Sequence, residues 1–164
     1  MNSELEILKN LDKKYSAQNL NESDTRFKII DEIIVDVLNW PKNTITTEKY
    51  INGKRADYVL KDGNDSPVLI LESKKNDIYF TLPKNFNSEK NFEKILVEKL
   101  LTDDSIKEAI LQVREYAEDL LCNFACICNG RTWIFFKVNS TLKPWKKLFA
   151  YVIKDINYFI ENFT

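Results

Sequence analysis

Residues 67–73 read Pro-Val-Leu-Ile-Leu-Glu-Ser, and the four from Val68 to Leu71 are apolar without a break. A strand with one face in water alternates apolar and polar residues, whereas an unbroken apolar run marks a strand covered on both faces. Such a strand needs a layer above it and a layer below. The run therefore predicts a sheet held between helices. The flanking text agrees: residues 44–51 are β-branched and aromatic, 55–60 form a second strand candidate, and 61–66 are dense in turn residues. Residues 44–73 read as a three-stranded meander.

The rest of the chain supplies the layers. Residues 3–15 form a helix with Leu5, Ile7, Leu8 and Leu11 as its stripe. A second helix runs from about Asp24 to Asn39, with Phe27, Ile30, Ile33, Ile34, Val37 and Leu38 on its apolar face, and Pro41 ends it. Residues 76–90 read as a loop, and helices are predicted over 89–101 and 104–121, the latter with Ile106, Ile110, Val113, Ala117 and Leu120 as its stripe. Strands follow at 124–128, 132–138 and 149–153. Asn129-Gly130 signals a hairpin between the first two, and a short helix ends near Phe163. The expected fold class is α/β, a mixed central sheet flanked by helices. At 164 residues the chain reads as a single domain, 1–164.

Composition narrows the chemistry more than the fold. The chain contains no histidine. Every mechanism that depends on imidazole is excluded, from Ser-His-Asp hydrolysis to His-ligated zinc proteolysis. Carboxylates, lysine, tyrosine, cysteine or an oxygen-ligated metal remain. The 24 basic and 25 acidic residues nearly cancel, so no global field selects a partner. Cys122, Cys126 and Cys128 are odd in number and sit in an apolar stretch, which suits small buried residues better than an incomplete zinc site. No secretory signal is visible, no apolar stretch approaches membrane-spanning length, and a reducing, cytoplasmic location is expected.

Asp57 lies on the second strand and Glu72-Ser73-Lys74 closes the third. Side chains alternate along a strand, so Glu72 and Lys74 share a face. A turn centred near residues 63–65 sets Asp57 opposite Glu72 to within about a residue. Directly opposed positions have Cβ atoms about 4.5–5.5 Å apart. Two carboxylates that close repel, and either one takes up a proton or a cation sits between them. Carboxylate oxygens suit Mg²⁺ (or Mn²⁺), and Lys74 beside it can orient a water or offset charge on a phosphate. The bland alternative is a solvated charged strand end. Lys137, Lys143, Lys146 and Lys147 form a separate basic cluster, of which Lys143, Lys146 and Lys147 suit phosphate contacts. Gln112 and Tyr116, four apart, share one face of their helix.

Asp57 followed by Glu72-x-Lys74 resembles the PD-(D/E)XK nuclease signature. The surrounding text, Glu22-Ser-Asp-Thr-Arg26, Asn39-Trp40, Arg55-Ala-Asp-Tyr-Val-Leu60, Gln112-Val-Arg-Glu-Tyr116 and Cys128-Asn-Gly-Arg-Thr-Trp133, is similar to one branch of it. That branch comprises the N-terminal nuclease domain of type I restriction enzyme R subunits, with related type IV restriction nucleases. The resemblance covers about residues 20–138. It implies a restriction-endonuclease-like αβββαβ core and Mg²⁺-dependent cleavage of DNA. It makes Asp57 and Glu72 the metal ligands and Lys74 the residue that assists the attacking water. Glu22 would be the extra acidic residue near the metal, although a helix N-terminus favours a glutamate in any case. Glu48 is a weaker candidate for that residue and reads as surface. Gln112 and Tyr116 would support the site at the edge of the same cleft, outside the buried core.

The chain departs from the branch in one stretch, the roughly 37 residues between Lys74 and Gln112. Its Lys84, Lys90, Lys94 and Lys99 suit either a DNA path or a partner-binding arm. No helicase motif is present, which implies a fused or associated ATP-driven motor or sensor domain, or a small standalone nuclease. The expected function is a DNA endonuclease serving restriction or anti-phage defence. The rival is a catalytically silent nuclease-fold module that binds nucleic acid or a protein partner.

Overall fold

A computed structural model describes residues 3–75, 80–87 and 89–162 of the chain. Seven strands form one mixed sheet: β1 (Ile45–Ile51), β2 (Lys54–Lys61), β3 (Pro67–Ser73), β4 (Phe92–Leu96), β5 (Phe124–Cys128), β6 (Trp133–Lys137) and β7 (Phe149–Ile153). Their order across the sheet is β1-β2-β3-β5-β6-β7-β4. Only β3 and β5 run parallel; every other neighbouring pair is antiparallel. The expected meander is present as β1-β2-β3, with the apolar run on the central β3.

From Ile70 to Ser73 both faces of β3 are covered, as its pattern requires, while Val68 and Leu69 are half-buried. Val59 and Ile70 enter a core shared with the long helix α4 (Asp104–Asp119), through Ile106, Ile110 and Val113. Tyr58, Leu60 and Leu71 point the other way, into a core with Leu8 and Leu11 of α1 (Ser3–Tyr15). The chain crosses from β3 to the parallel β5 by way of α4, which packs on both. Two shorter helices, α3 (Val97–Leu100) and α5 (Asn157–Glu161), complete the layers. Among the described residues no helix is long and apolar enough to cross a membrane. The three cysteines are free and buried, as small core residues.

The second helix departs from the expected regular spiral. It opens as a single α-turn, α2 (Glu22–Thr25), capped by the Asn21 side chain, which accepts from the Asp24 N–H at 2.8 Å. It then widens into two π-turns, Arg26–Ile30 and Ile33–Val37, with Asp31 N bonding to Arg26 O and Leu38 N to Ile33 O. An i→i−5 ladder turns each residue through a smaller angle than an α-helix does, so the apolar stripe shifts. Ile29, Ile30, Ile33, Ile34 and Val37 are buried, while Phe27, expected in the core, is 74% exposed and Leu38 is also exposed.

The helix expected over 89–101 is instead strand β4 followed by the single turn α3. The free edge of β7 offers the backbone of residues 92–96 an antiparallel partner, Phe92↔Ile153 through Leu96↔Phe149. Phe92 then stacks on Tyr158, ring centroids 5.2 Å apart. Tertiary pairing overrides the weak helical pattern. Of the loop expected over 76–90, residues 76–79 and 88 lie outside the described residues; Phe80 and Phe86 anchor the remainder in the core.

The hairpin at Asn129-Gly130 is closed by four residues, 129–132, with Cys128 paired to Trp133. The Asn129 carboxamide oxygen accepts from the N–H groups of Arg131 and Thr132. Gly130 has φ +83°, and a Cβ there would lie 3.0 Å from Thr25 Cγ2. This close approach locks the end of β5 against the start of the π-helical segment and so fixes the distance between Arg26 and the carboxylates described next.

Candidate active site

The β2/β3 register pairs Tyr58 with Leu71, so the next step outward sets Asp57 against Glu72. Both are buried, Asp57 at 7% and Glu72 at 3% exposure. Their positions alternate with Tyr58 and Leu71, so both carboxylates lie on the α4 face of the sheet. Asp57 Oδ2 accepts two hydrogen bonds from Ser73, from its N–H and its hydroxyl, each 2.7 Å. Asp57 Oδ1 faces Arg26 Nη1 at 3.3 Å.

Glu72 is divided between two environments. Its Oε1 accepts from Lys74 Nζ at 2.9 Å and from Gln112 Nε2 at 2.7 Å. Its Oε2 is buried and has no hydrogen-bond partner among the described residues. Burial, and then the Asp57 carboxylate, push the Glu72 carboxyl up to about 7, although Lys74 opposes them. Burial alone would lower the Lys74 pKa, but its contacts with Glu72 outweigh that and hold it above its ordinary value. Gln112 completes the arrangement, its carbonyl oxygen accepting from Lys74 Nζ at 3.2 Å and its amide donating to the Tyr116 hydroxyl at 3.1 Å.

Glu22 sits at the exposed N-terminus of α2. Its carboxyl is raised by the protein crowding it and then by Asp57, against the opposing charges of Lys74 and Arg26. It is thus within electrostatic reach of the site, though no hydrogen bond ties it there among the described contacts. Tyr116 departs from its expected position. It is only 2% exposed and belongs to the core under the sheet, with only its hydroxyl reaching toward Gln112. The helix stripe is wider than the sequence pattern suggested, and takes in Ala109 and Tyr116 as well.

The basic cluster is not brought to the carboxylates. Lys143, Lys146 and Lys147 lie on the connection that leaves β6 at Lys137, which pairs with Phe124 at the start of β5. Glu72 and Ser73 stand beside Ile127 and Cys128 at the other end of that strand. Lys147 pairs with Glu98 at 2.7 Å, Lys146 lies 5.8 Å from the Trp145 ring centroid, and Lys143 is exposed.

Two participants, Ser73 and Arg26, are not among the candidates the sequence offers for the site, and a third, Glu48, is only a weak one. Ser73 is the variable residue of the Glu-x-Lys signature, and its role emerges only from the cross-strand contact. Arg26 is drawn in by the π-turn. It bridges Glu48 and Asp57, and its guanidinium lies 5.2 Å from the Tyr58 ring centroid. Glu48, expected on the surface, is exposed but stands on β1 opposite Asp57, between the pairs Thr47↔Tyr58 and Lys49↔Ala56. A signal for it existed. Ile51↔Lys54 closes a two-residue turn at Asn52-Gly53, with φ of 46° and 87°. That Asn-Gly turn fixes the β1/β2 register and so places Glu48.

Among the described residues no group of three or more Asp, Glu, Cys or His side chains is arranged to hold a metal ion. A divalent cation at this site would have Asp57 and Glu72 as its carboxylate donors. The orphaned Glu72 Oε2 fits such a cation, because a buried carboxylate oxygen without a partner is costly unless something satisfies it. Comparison with protein-family models, with curated proteins and with solved structures yields no match to this chain.

Proposed function

We propose that this chain is a Mg²⁺-dependent (or Mn²⁺-dependent) DNA endonuclease domain of the PD-(D/E)XK type, serving restriction or anti-phage defence in the cytoplasm. The observation that carries the reading is the pair of buried carboxylates, Asp57 and Glu72, on adjacent strands, with Lys74 on one oxygen of Glu72 and the other oxygen unpartnered among the described residues. The succession of a helical segment, the β1-β2-β3 meander, α4 and a parallel β5 supports it, since it follows the order of the αβββαβ core with β4 inserted.

Asp57 and Glu72 would hold the cation. A divalent cation there supplies positive charge against the negative charge that builds on the phosphate as water attacks. Lys74 orients the water and offsets charge on the same phosphate. Gln112 keeps Lys74 and Glu72 in register through its two contacts. Ser73 and Arg26 hold Asp57 from opposite sides. The reaction adds one water across the phosphodiester: the water oxygen bonds to phosphorus and the bond to the leaving sugar oxygen breaks.

The silent-module reading draws on Arg26, which already neutralises Asp57. A nicking assay on supercoiled plasmid, with Mg²⁺ and with chelator, decides between them. Nicking that requires Mg²⁺ and disappears in both Asp57→Ala and Glu72→Ala supports the nuclease. Its absence from the wild type, or its persistence in the variants, overturns it.

A further inference from the structure

The sheet face opposite the carboxylates is covered at only one end. Toward Cys128 and Trp133 it lies under α1 and the π-helical segment; toward the start of β5 it lies open, as a groove of about 400 Å³. Two rows of side chains cross it. Phe124 pairs with Lys137, and Phe149 lies beyond Lys137 on β7; Phe135 pairs with Tyr151, which pairs with Lys94. Phe124 is 50% exposed, and Phe149 and Tyr151 are each 47% exposed. The strand positions of this open area carry no Asp or Glu among the described residues.

Rings and cations are interleaved here, and that selects the ligand. Lys94 Nζ lies 4.4 Å from the Phe149 ring centroid and 5.7 Å from that of Tyr151. Lys94 is on the edge strand, where a lysine also discourages strand pairing. Lys137 is on an interior strand, so edge protection does not account for it. An apolar protein partner would bury both ammonium groups without a counter-charge, which is costly. A single nucleic-acid strand brings a phosphate with every base, and its bases stack on exposed aromatic rings whatever their sequence.

We propose that this open face binds single-stranded nucleic acid, with bases on Phe124, Phe135, Phe149 and Tyr151 and phosphates at Lys94 and Lys137. The site lies on the opposite side of the sheet from Asp57 and Glu72 and does not depend on cleavage there. The test is fluorescence anisotropy of a labelled fifteen-residue oligothymidine with the full chain, in chelator so that no cutting intervenes. Saturable binding is expected, at least tenfold tighter than to a duplex of equal length. Two phosphate contacts give a log–log salt slope of about −1.4, which Lys137→Ala lowers to about −0.7. Tyr151→Ala should weaken binding at least tenfold and Tyr151→Phe should restore it. Binding is measured in chelator and on the opposite face, so a failed nicking assay leaves this result standing. Absence of saturable binding, or Tyr151→Ala binding unchanged, overturns the proposal. So does a dimer in sedimentation that Tyr151→Ala dissolves, because the face would then belong to a second copy.

Discussion

Asp57 Oδ2 accepts both hydrogen bonds that Ser73 can donate toward it, one from the backbone and one from the hydroxyl, at 2.7 Å each. The two residues sit on adjacent strands, and Ser73 is fully buried. The contact fixes the Asp57 carboxylate before any ligand arrives, and it leaves Oδ1, facing Arg26, as the oxygen that can change partners.

Removing the hydroxyl tests that clamp. Hydrogen bonds to charged groups are worth about 1.5–3 kcal/mol. Ser73→Ala keeps the backbone N–H and loses one bond, so urea unfolding near neutral pH should show a loss of about 2 kcal/mol. A loss below about 0.5 kcal/mol would mean that the hydroxyl does not hold Asp57.

Tyr116 and Gln112 separate cleanly by substitution. Tyr116 is a buried ring whose hydroxyl alone meets Gln112. Tyr116→Ala should cost about 3–5 kcal/mol, as large aromatic truncations in cores do. Tyr116→Phe should stay within about 1 kcal/mol. Gln112→Ala should cost little stability yet, on the proposed reading, slow cleavage strongly, because Lys74 and Glu72 lose their shared partner. Gln112→Ala with full nicking activity would remove it from the site.

What could be read from the sequence follows how local the determining signal is. The unbroken run at Val68–Leu71 revealed a two-sided strand, and the turn at 61–66 set Asp57 opposite Glu72 to within about a residue; the last step is made by a register shift between Leu60 and Lys61. Glu48 was equally accessible through Asn52-Gly53. The π-turns were not: Arg26–Ile30 and Ile33–Val37 have apolar spacing that an α-helix also satisfies, and the choice is made by packing on the sheet and by Gly130 beneath Thr25 and Ile29. β4 was hidden for a similar reason. Its strand state rests on the edge of β7, more than fifty residues on in the chain.

The cysteines provide a check on the core that is independent of any function. Cys126 and Cys128 are fully buried, and burial pushes both thiols well above their ordinary pKa. In the folded chain they should not react with a thiol reagent at pH 8, and all three cysteines should react in denaturant. Rapid labelling without denaturant would show that the Cys122–Cys128 region opens readily.

Glu72 should make the stability of the metal-free chain fall as pH rises. Its carboxyl is raised from 4.5 to about 7 by burial and by Asp57. Between those values the folded state binds more protons than the unfolded state, so the slope of unfolding free energy with pH is negative. The contribution is full below about pH 4.5, is lost as pH rises through about 7, and amounts to about 3 kcal/mol at 1.36 kcal/mol per pKa unit. The Glu22 carboxyl is raised as well, so the measurement is a difference: thermal or urea unfolding of wild type against Glu72→Gln in chelator, from pH 4.5 to 7.5. Glu72→Gln should gain on the wild type as pH rises, because its amide never ionises. On the proposed reading, millimolar Mg²⁺ should then stabilise the wild type more at pH 7.5 than at pH 5.5, since the cation takes the ionised carboxylate and binds the folded state alone. Parallel pH profiles for the two proteins would show that Glu72 ionises as an ordinary surface carboxylate. A Mg²⁺ response unchanged by Glu72→Gln would remove it from the cation site.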